Sequence, residues 1–115
     1  MIIYEKYDTI NLMRASQDPL IIPEIDIHRK TATEPPYRVI IHNDDVTPMD
    51  FVVRILLTVF LLTGASAVQV MYTAHYHGSA HVQSLPKSVA EKRVLQAHMS
   101  ARLAGYPLRF TIERD

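Results

Sequence analysis

From residue 37 onward the apolar positions fall into blocks with distinct periods. Tyr37-Arg38-Val39-Ile40-Ile41-His42 is rich in β-branched residues and stops at Asn43-Asp44-Asp45, which predicts a strand and then a turn. Thr47 precedes Pro48, and Asp50 follows; this predicts Thr47 as the N-cap of a helix from about Pro48 to Leu62. Phe51, Val52, Ile55, Leu56, Val59 and Phe60 form its buried stripe. Thr63 is suited to cap a second helix, about Gly64 to Tyr76, with Ala67, Val70, Met71 and Ala74 at helical spacing and Gly78 as terminator. Ser79 to Gln83 reads as a short strand with Ala80 and Val82 on one side. Ser84 and Pro86 open a third helix, whose stripe of Ala90, Val94, Ala97 and Ala101 is small enough for close packing. Gly105 and Pro107 end it, and Leu108 to Glu113 alternates apolar and polar as a strand covered on one face does. The expectation is an α+β domain of order β-α-α-β-α-β, with three helices packed on one face of a small antiparallel sheet.

Residues 1–35 differ in kind. Their apolar residues hold no sustained period, and Pro19, Pro23, Pro35 and Pro36 punctuate the stretch. They read as a flexible N-terminal extension with one sticky segment at Leu20-Ile21-Ile22, and residues 36–115 read as the folded domain. The start of the chain lacks the basic-then-apolar order of a secretory signal, and its acidic residues argue against a transit peptide. Phe51 to Ala74 is long enough to span a bilayer and carries only Arg54 as a charge. Thr58, Thr63, Gly64, Ser66 and Gln69 interrupt it, so two short buried helices are expected rather than a span, and the cytoplasm is the expected location.

Composition narrows the function classes. Among 115 residues, 12 Lys and Arg balance 12 Asp and Glu, and there is no cysteine. Zero net charge argues against nucleic-acid binding by phosphate neutralisation. The lack of cysteine removes disulfide scaffolds, thiol nucleophiles and cysteine zinc sites. The balance hides a small asymmetry: residues 1–35 hold four basic and six acidic side chains, the remainder eight and six.

Several chemistries fail on placement. All three glycines, Gly64, Gly78 and Gly105, sit at helix ends, so no phosphate loop exists. His75, His77 and His81 cluster near a turn, but a spacing of two puts His75 and His77 on different helix faces, unlike the i, i+4 pair of a helical zinc site. Asp44 and Asp45 admit three readings: a weak acid/base pair, simple turn formers, or recognition, with Asn43, Asp44 and a histidine lining a polar rim beside the apolar residues of the following helix.

The run Pro36-Tyr37-Arg38-Val39-Ile40-Ile41-His42-Asn43-Asp44-Asp45-Val46-Thr47-Pro48-Met49-Asp50-Phe51-Val52 resembles the signature of the ClpS family, small adaptors that deliver N-degron substrates to a Clp AAA+ unfoldase–protease. The likeness continues through Ala67-Val68-Gln69-Val70-Met71, His75-Tyr76-His77-Gly78, Val89-Ala90-Glu91-Lys92-Arg93-Val94 and Pro107-Leu108, about 80 of the 115 residues. The family fold is the same β-α-α-β-α-β.

The resemblance implies a receptor, not an enzyme, with no cofactor and no metal. Its substrate class is proteins that begin with Leu, Phe, Tyr or Trp, and its partner is the N-terminal domain of a Clp unfoldase, with no nucleic acid and no membrane. The side chains matching Asn43, Asp44 and His75 would hold the substrate α-ammonium, a group with a reference pKa near ~8. His75 must then present a bare ring nitrogen, so acid that protonates it should weaken binding. An internal peptide nitrogen has one hydrogen and no charge and cannot satisfy three acceptors, which is how such a site distinguishes a chain terminus. Thr47, Met49, Val52, Met71, Ala74 and Leu108 match the pocket for the first side chain; by spacing alone Met49 and Met71 read as core. Burying a Leu- or Phe-sized group there is worth roughly 1.5–3 kcal/mol, and methionines adapt to several shapes. Glu91 and Arg93 match charged positions of the unfoldase-docking helix.

Departures from the family pattern carry their own expectations. Ala74 stands where a branched aliphatic is usual, which predicts a roomier pocket favouring aromatic termini. Ser88 stands where Glu is common, and His81 to Pro86 departs from the usual Cys-Gly stretch, so docking is expected to be altered. Val53, Leu57 and Leu61 lie outside the first helix's buried stripe; exposed together they would form an apolar patch for weak homo-oligomer contact or for cover by Leu20-Ile21-Ile22. Two alternative functions remain at this point: a metal-dependent hydrolase using Asp44, Asp45, His75 and His77, and a general peptide-interaction domain that does not read termini.

Overall fold

A computed structural model describes residues Glu34–Asp115. The expected extension, including Leu20-Ile21-Ile22, lies outside the described residues. The β-branched run forms strand β1, Pro36–His42. Helix α1 follows at Met49–Thr58 and helix α2 at Gly64–His77. Strand β2 occupies Ser79–Pro86, helix α3 Lys87–Ala104 and strand β3 Arg109–Arg114. The order is the expected β-α-α-β-α-β.

The three strands form one sheet in the order β2-β1-β3, with both pairings antiparallel. The most apolar strand is therefore central. Val39 and Ile41 turn one face inward and are 0% and 1% exposed, alongside Phe110 from β3 and Ala80 and Val82 from β2. The β1–β2 register shifts between Val39 and Ile40, which pair with Gln83 and His81 and leave Val82 as an extra residue. Past this bulge, β2 continues to Pro86 opposite Pro36, three residues beyond the expected end at Gln83. Ser84 thus lies in the strand rather than opening α3. The start of α3 has no side-chain cap at Pro86; instead the Glu34 carboxylate accepts from the Ser88 backbone N–H at 2.8 Å.

Helix α3 approaches the sheet through Ala90, Ala97 and Ala101, all fully buried. Their lack of bulk lets the helix backbone come close to the strands. Helices α1 and α2 complete the layer, α2 against β2 and α1 against α2. Aromatic pairs join α1 and the turn after it to the C-terminal part of the domain: Phe60 packs on Phe110 with centroids 4.9 Å apart, and Phe51 meets Tyr106 edge-on at 4.8 Å.

Two helix ends differ from expectation. Helix α1 stops at Thr58, short of Leu62. Leu61 adopts a left-handed conformation (φ 58°), and the Leu62 N–H reaches back to the Leu56 carbonyl at 3.1 Å. This turn swings Phe60 into full burial. The expected apolar patch is present only in part: Val53 packs half-buried against the core, Leu57 is exposed on the helix, and Leu61, 67% exposed, lies beyond its end. At the other end of α1, Thr47 is not the N-cap; Pro48 holds that position without a side-chain bond. The Thr63 cap does form, accepting from the Ser66 N–H at 3.2 Å. Gly78, at φ 93°, ends α2 in the left-handed conformation that favours glycine. Among the described residues, no helix is long and apolar enough to cross a membrane.

Candidate functional site

The end of β1 and the end of α2 are tied directly: the Asn43 backbone N–H donates to the Gly78 carbonyl at 2.9 Å. That bond brings the Asn43-Asp44-Asp45 turn beside the last turn of α2, which carries His75. Between them, closed by the start of α1 and by Leu108, lies a cavity of about 350 Å³. Asn43, Asp44, Thr47, Met49, Val52, Met71, Ala74, His75 and Leu108 all line it. Residues far apart in sequence converge here because the strand exit, two helices and the β3 approach share one end of the domain.

The cavity has two chemical halves. Val52, Met71, Ala74 and Leu108 are buried and make an apolar floor. Met49, 41% exposed, stands at the mouth. The polar half carries the amide of Asn43, the imidazole of His75 and the carboxylates of Asp44 and Asp45. Among the described residues no Lys or Arg contributes to the lining, so the arrangement suits a ligand with a compact positive charge and an apolar side chain.

Asp44 is fixed by the turn that follows it. One of its oxygens accepts from the backbone N–H of Val46 at 2.8 Å and of Thr47 at 2.7 Å; the other accepts the Thr47 hydroxyl at 2.9 Å. This Asx-type turn directs the Thr47 side chain back toward Asp44, and the N-cap position of α1 falls on Pro48. Burial works to raise the Asp44 pKa, but the Thr47 and Val46 hydrogen bonds outweigh it and hold the carboxyl below its ordinary value. The group is therefore an anion at neutral pH. A carboxylate offers about four acceptor positions, and three are occupied here, which leaves room for one outside donor.

The lining also includes Ile41, His42, Asp45, Val46 and Pro48, which were not among the expected pocket residues. Their adjacency to Asn43 and Asp44 along the turn was the available signal. A ring nitrogen of His42 lies 2.8 Å from the Thr111 hydroxyl, joining β1 to β3 beside the cavity. Burial, followed by the Arg109 charge, pushes the His42 pKa below its ordinary value, so the ring is neutral at physiological pH. Glu91 and Arg93 do not line the cavity. They lie in the first half of α3, Glu91 exposed and Arg93 donating to the Gln83 side chain at 2.9 Å. Among the described residues no group of three or more His, Asp or Glu side chains is placed to hold a metal ion, so the hydrolase alternative gains no geometric support.

The family model described as ATP-dependent Clp protease adaptor protein ClpS matches residues 32–111. The chain is 42% identical over 98 residues to the ATP-dependent Clp protease adapter protein ClpS of Vibrio cholerae serotype O1, covering 82% of this chain and 92% of that protein. It is 40% identical over 89 residues to the protein of the same name from Desulforapulum autotrophicum, covering 77% and 86% respectively. Among solved structures it is similar to Agrobacterium tumefaciens ClpS2 bound to L-phenylalaninamide, with a TM-score of 0.68, 38% identity, and coverage of 70% of this chain and 98% of that one.

Proposed function

The chain belongs to the ClpS family of adaptors for the ATP-dependent Clp protease, and from that premise we propose that its cavity is the receptor for the free N-terminal residue of N-degron substrates. The observation that carries the reading is the division of the cavity. An amide, an anionic carboxylate and an imidazole stand at one side of a buried apolar floor, with no Lys or Arg among the described lining residues. L-Phenylalaninamide, the ligand of the Agrobacterium ClpS2 structure, combines an α-ammonium with an aromatic side chain; the cavity offers this chain a matching surface for each.

In this mechanism the ammonium donates to the Asn43 amide oxygen, the unoccupied acceptor position of Asp44 and a bare nitrogen of His75. The side chain of residue 1, one of Leu, Phe, Tyr or Trp, rests on Val52, Met71, Ala74 and Leu108, with Thr47 at the polar border and Met49 over the mouth. The bound substrate is then handed to a Clp AAA+ unfoldase, whose N-terminal domain docks along α3 near Glu91 and Arg93. As members of an adaptor family, such proteins bind and deliver; the cleavage chemistry belongs to the protease.

A binding titration with Phe- and Leu-initiated peptides, free and N-acetylated, tests the reading. A charge-assisted hydrogen bond is worth about 1.5–3 kcal/mol, so acetylation or Asp44→Ala should each weaken binding roughly 10- to 100-fold. Equal affinity for the acetylated peptide would identify a general peptide-interaction domain instead.

A further inference from the structure

We propose that Tyr76 is a positioning residue for His75, and that Tyr72 supports it: the two rings hold the His75 imidazole in the orientation that a substrate ammonium requires. The proposal rests on the reading of the cavity as a receptor for a free N-terminus.

His75 is exposed, and among the described residues no hydrogen bond ties either of its ring nitrogens. A histidine that must present one particular nitrogen is usually oriented by a bond at the other. Here the recorded neighbour is aromatic. The Tyr76 ring meets the His75 imidazole at a centroid distance of 5.0 Å and an interplanar angle of 76°. That is an edge-to-face arrangement, in which the positive edge of one ring meets the negative face of the other. Consecutive residues on a helix do not face each other, so the contact exists only because both side chains lean together.

Tyr76 is itself braced. Tyr72, one helical turn earlier, stacks on it with centroids 6.1 Å apart and planes 15° from parallel. Core packing does not explain this pair, since Tyr76 is 73% exposed and Tyr72 44%. The three rings form a ladder along the outer face of α2 that ends at the cavity. Rotation about the last torsion of a histidine is broad and roughly two-fold. An unbraced His75 would spend part of its time with its acceptor lone pair turned away from the ammonium.

The test uses the full chain, a Phe-initiated peptide with a free amine, and the same peptide acetylated. Tyr76→Ala should weaken binding of the free-amine peptide about three- to tenfold, leave the acetylated peptide unchanged, and remove the ring-current shift of the His75 protons in NMR spectra. Tyr76→Phe, which keeps the ring and loses the hydroxyl, should restore all three; Tyr72→Ala should fall between. In a His75→Ala background, Tyr76→Ala should have no further effect, because a positioning residue acts only through what it positions. An equal loss in that background, or a Tyr76→Phe variant as weak as Tyr76→Ala, overturns the proposal. Failure of the wild-type chain to distinguish free from acetylated peptide overturns the receptor reading itself, a different result.

Discussion

Thr47 meets the Asp44 carboxylate twice: its backbone N–H donates to one oxygen at 2.7 Å and its hydroxyl to the other at 2.9 Å. The carboxylate therefore holds the turn together and faces the cavity at once. Thr47→Val keeps the backbone donors and deletes the hydroxyl. A net hydrogen bond contributes about 0.5–1.5 kcal/mol; because this pair is only part-buried, the lower half of that range is expected in urea unfolding at pH 7. Asp44 has its folded pKa below the ordinary 3.8, so its contribution is present above that value and lost as pH falls through the lower folded one. In Thr47→Val the Asp44 titration, followed by carboxyl-carbon NMR, should move up toward 3.8. An unmoved titration would show that the hydroxyl contributes nothing to the anion.

His98 predicts a second pH dependence, in a higher range. Its Nε2 accepts from the Phe110 backbone N–H at 2.9 Å, fastening α3 to the edge strand β3, and only the neutral ring can accept there. Burial first, then the charges of Arg102 and Arg109, lower its pKa from 6.5. A base held neutral in the fold contributes stability that is present above 6.5 and lost as pH falls through the lower folded value. His42, also lowered and bonded to Thr111, adds a loss of the same sign. Wild-type stability should therefore decline on acidification below pH 6.5, and His98→Gln, which keeps an acceptor and cannot titrate, should decline less steeply. Chemical unfolding at a series of pH values checks this. Parallel slopes would mean that His98 remains bonded when protonated.

The order of elements was legible because each carries its own local period and stop: a β-branched run for β1, an apolar–polar alternation for β3, and Gly78 and Gly105 beyond α2 and α3. What was not legible depends on partners distant in sequence. The apolar residues Val59 and Phe60 continue the stripe of α1, and only Phe110, fifty residues later, makes a turn there more favourable than more helix. The extension of β2 to Pro86 depends on Pro36 and Tyr37 as partners. At Thr47 the side chain joins the turn to Asp44 and the helix begins one residue later, with Pro48 in the N-cap position. The cavity-lining methionines are indistinguishable by spacing from core; the family pattern, not periodicity, separated them.

Leu61 occupies a conformation for which leucine is poorly suited. At φ 58° its Cβ crowds the backbone, a cost of roughly 1–2 kcal/mol, and the 67% exposed side chain recovers little by burial. Asn tolerates the left-handed region because its short side chain bonds locally. Leu61→Asn should raise unfolding free energy by about 0.5–1 kcal/mol. A loss of stability would show that Leu61 packs against something that outweighs its strain.

Ala74 sets the size of the pocket floor. It is 4% exposed, sits one residue before His75, and lines the cavity together with Met71. A branched residue there would project extra methyl groups into the cavity, the space proposed to take the first side chain. Those methyls can meet the bound side chain in two ways: against Leu they fill space, and against the wider rings of Phe or Trp they clash. Overpacking of this kind costs about 1–3 kcal/mol, whereas an added favourable contact is worth about 0.8 kcal/mol per buried methylene-sized group. The two effects have opposite signs, so the ratio of affinities is a sharper measurement than either affinity alone. In peptides differing only in residue 1, the wild-type chain should prefer Phe and Trp over Leu. Ala74→Val should shift that ratio at least tenfold toward Leu. On this reading the ammonium contacts are the same in both chains, so acetylation should weaken binding of every peptide by the same factor. A wild-type preference for Ile or Val, or a ratio that Ala74→Val leaves alone, would place the limit on ring size elsewhere, at Met49 or Met71.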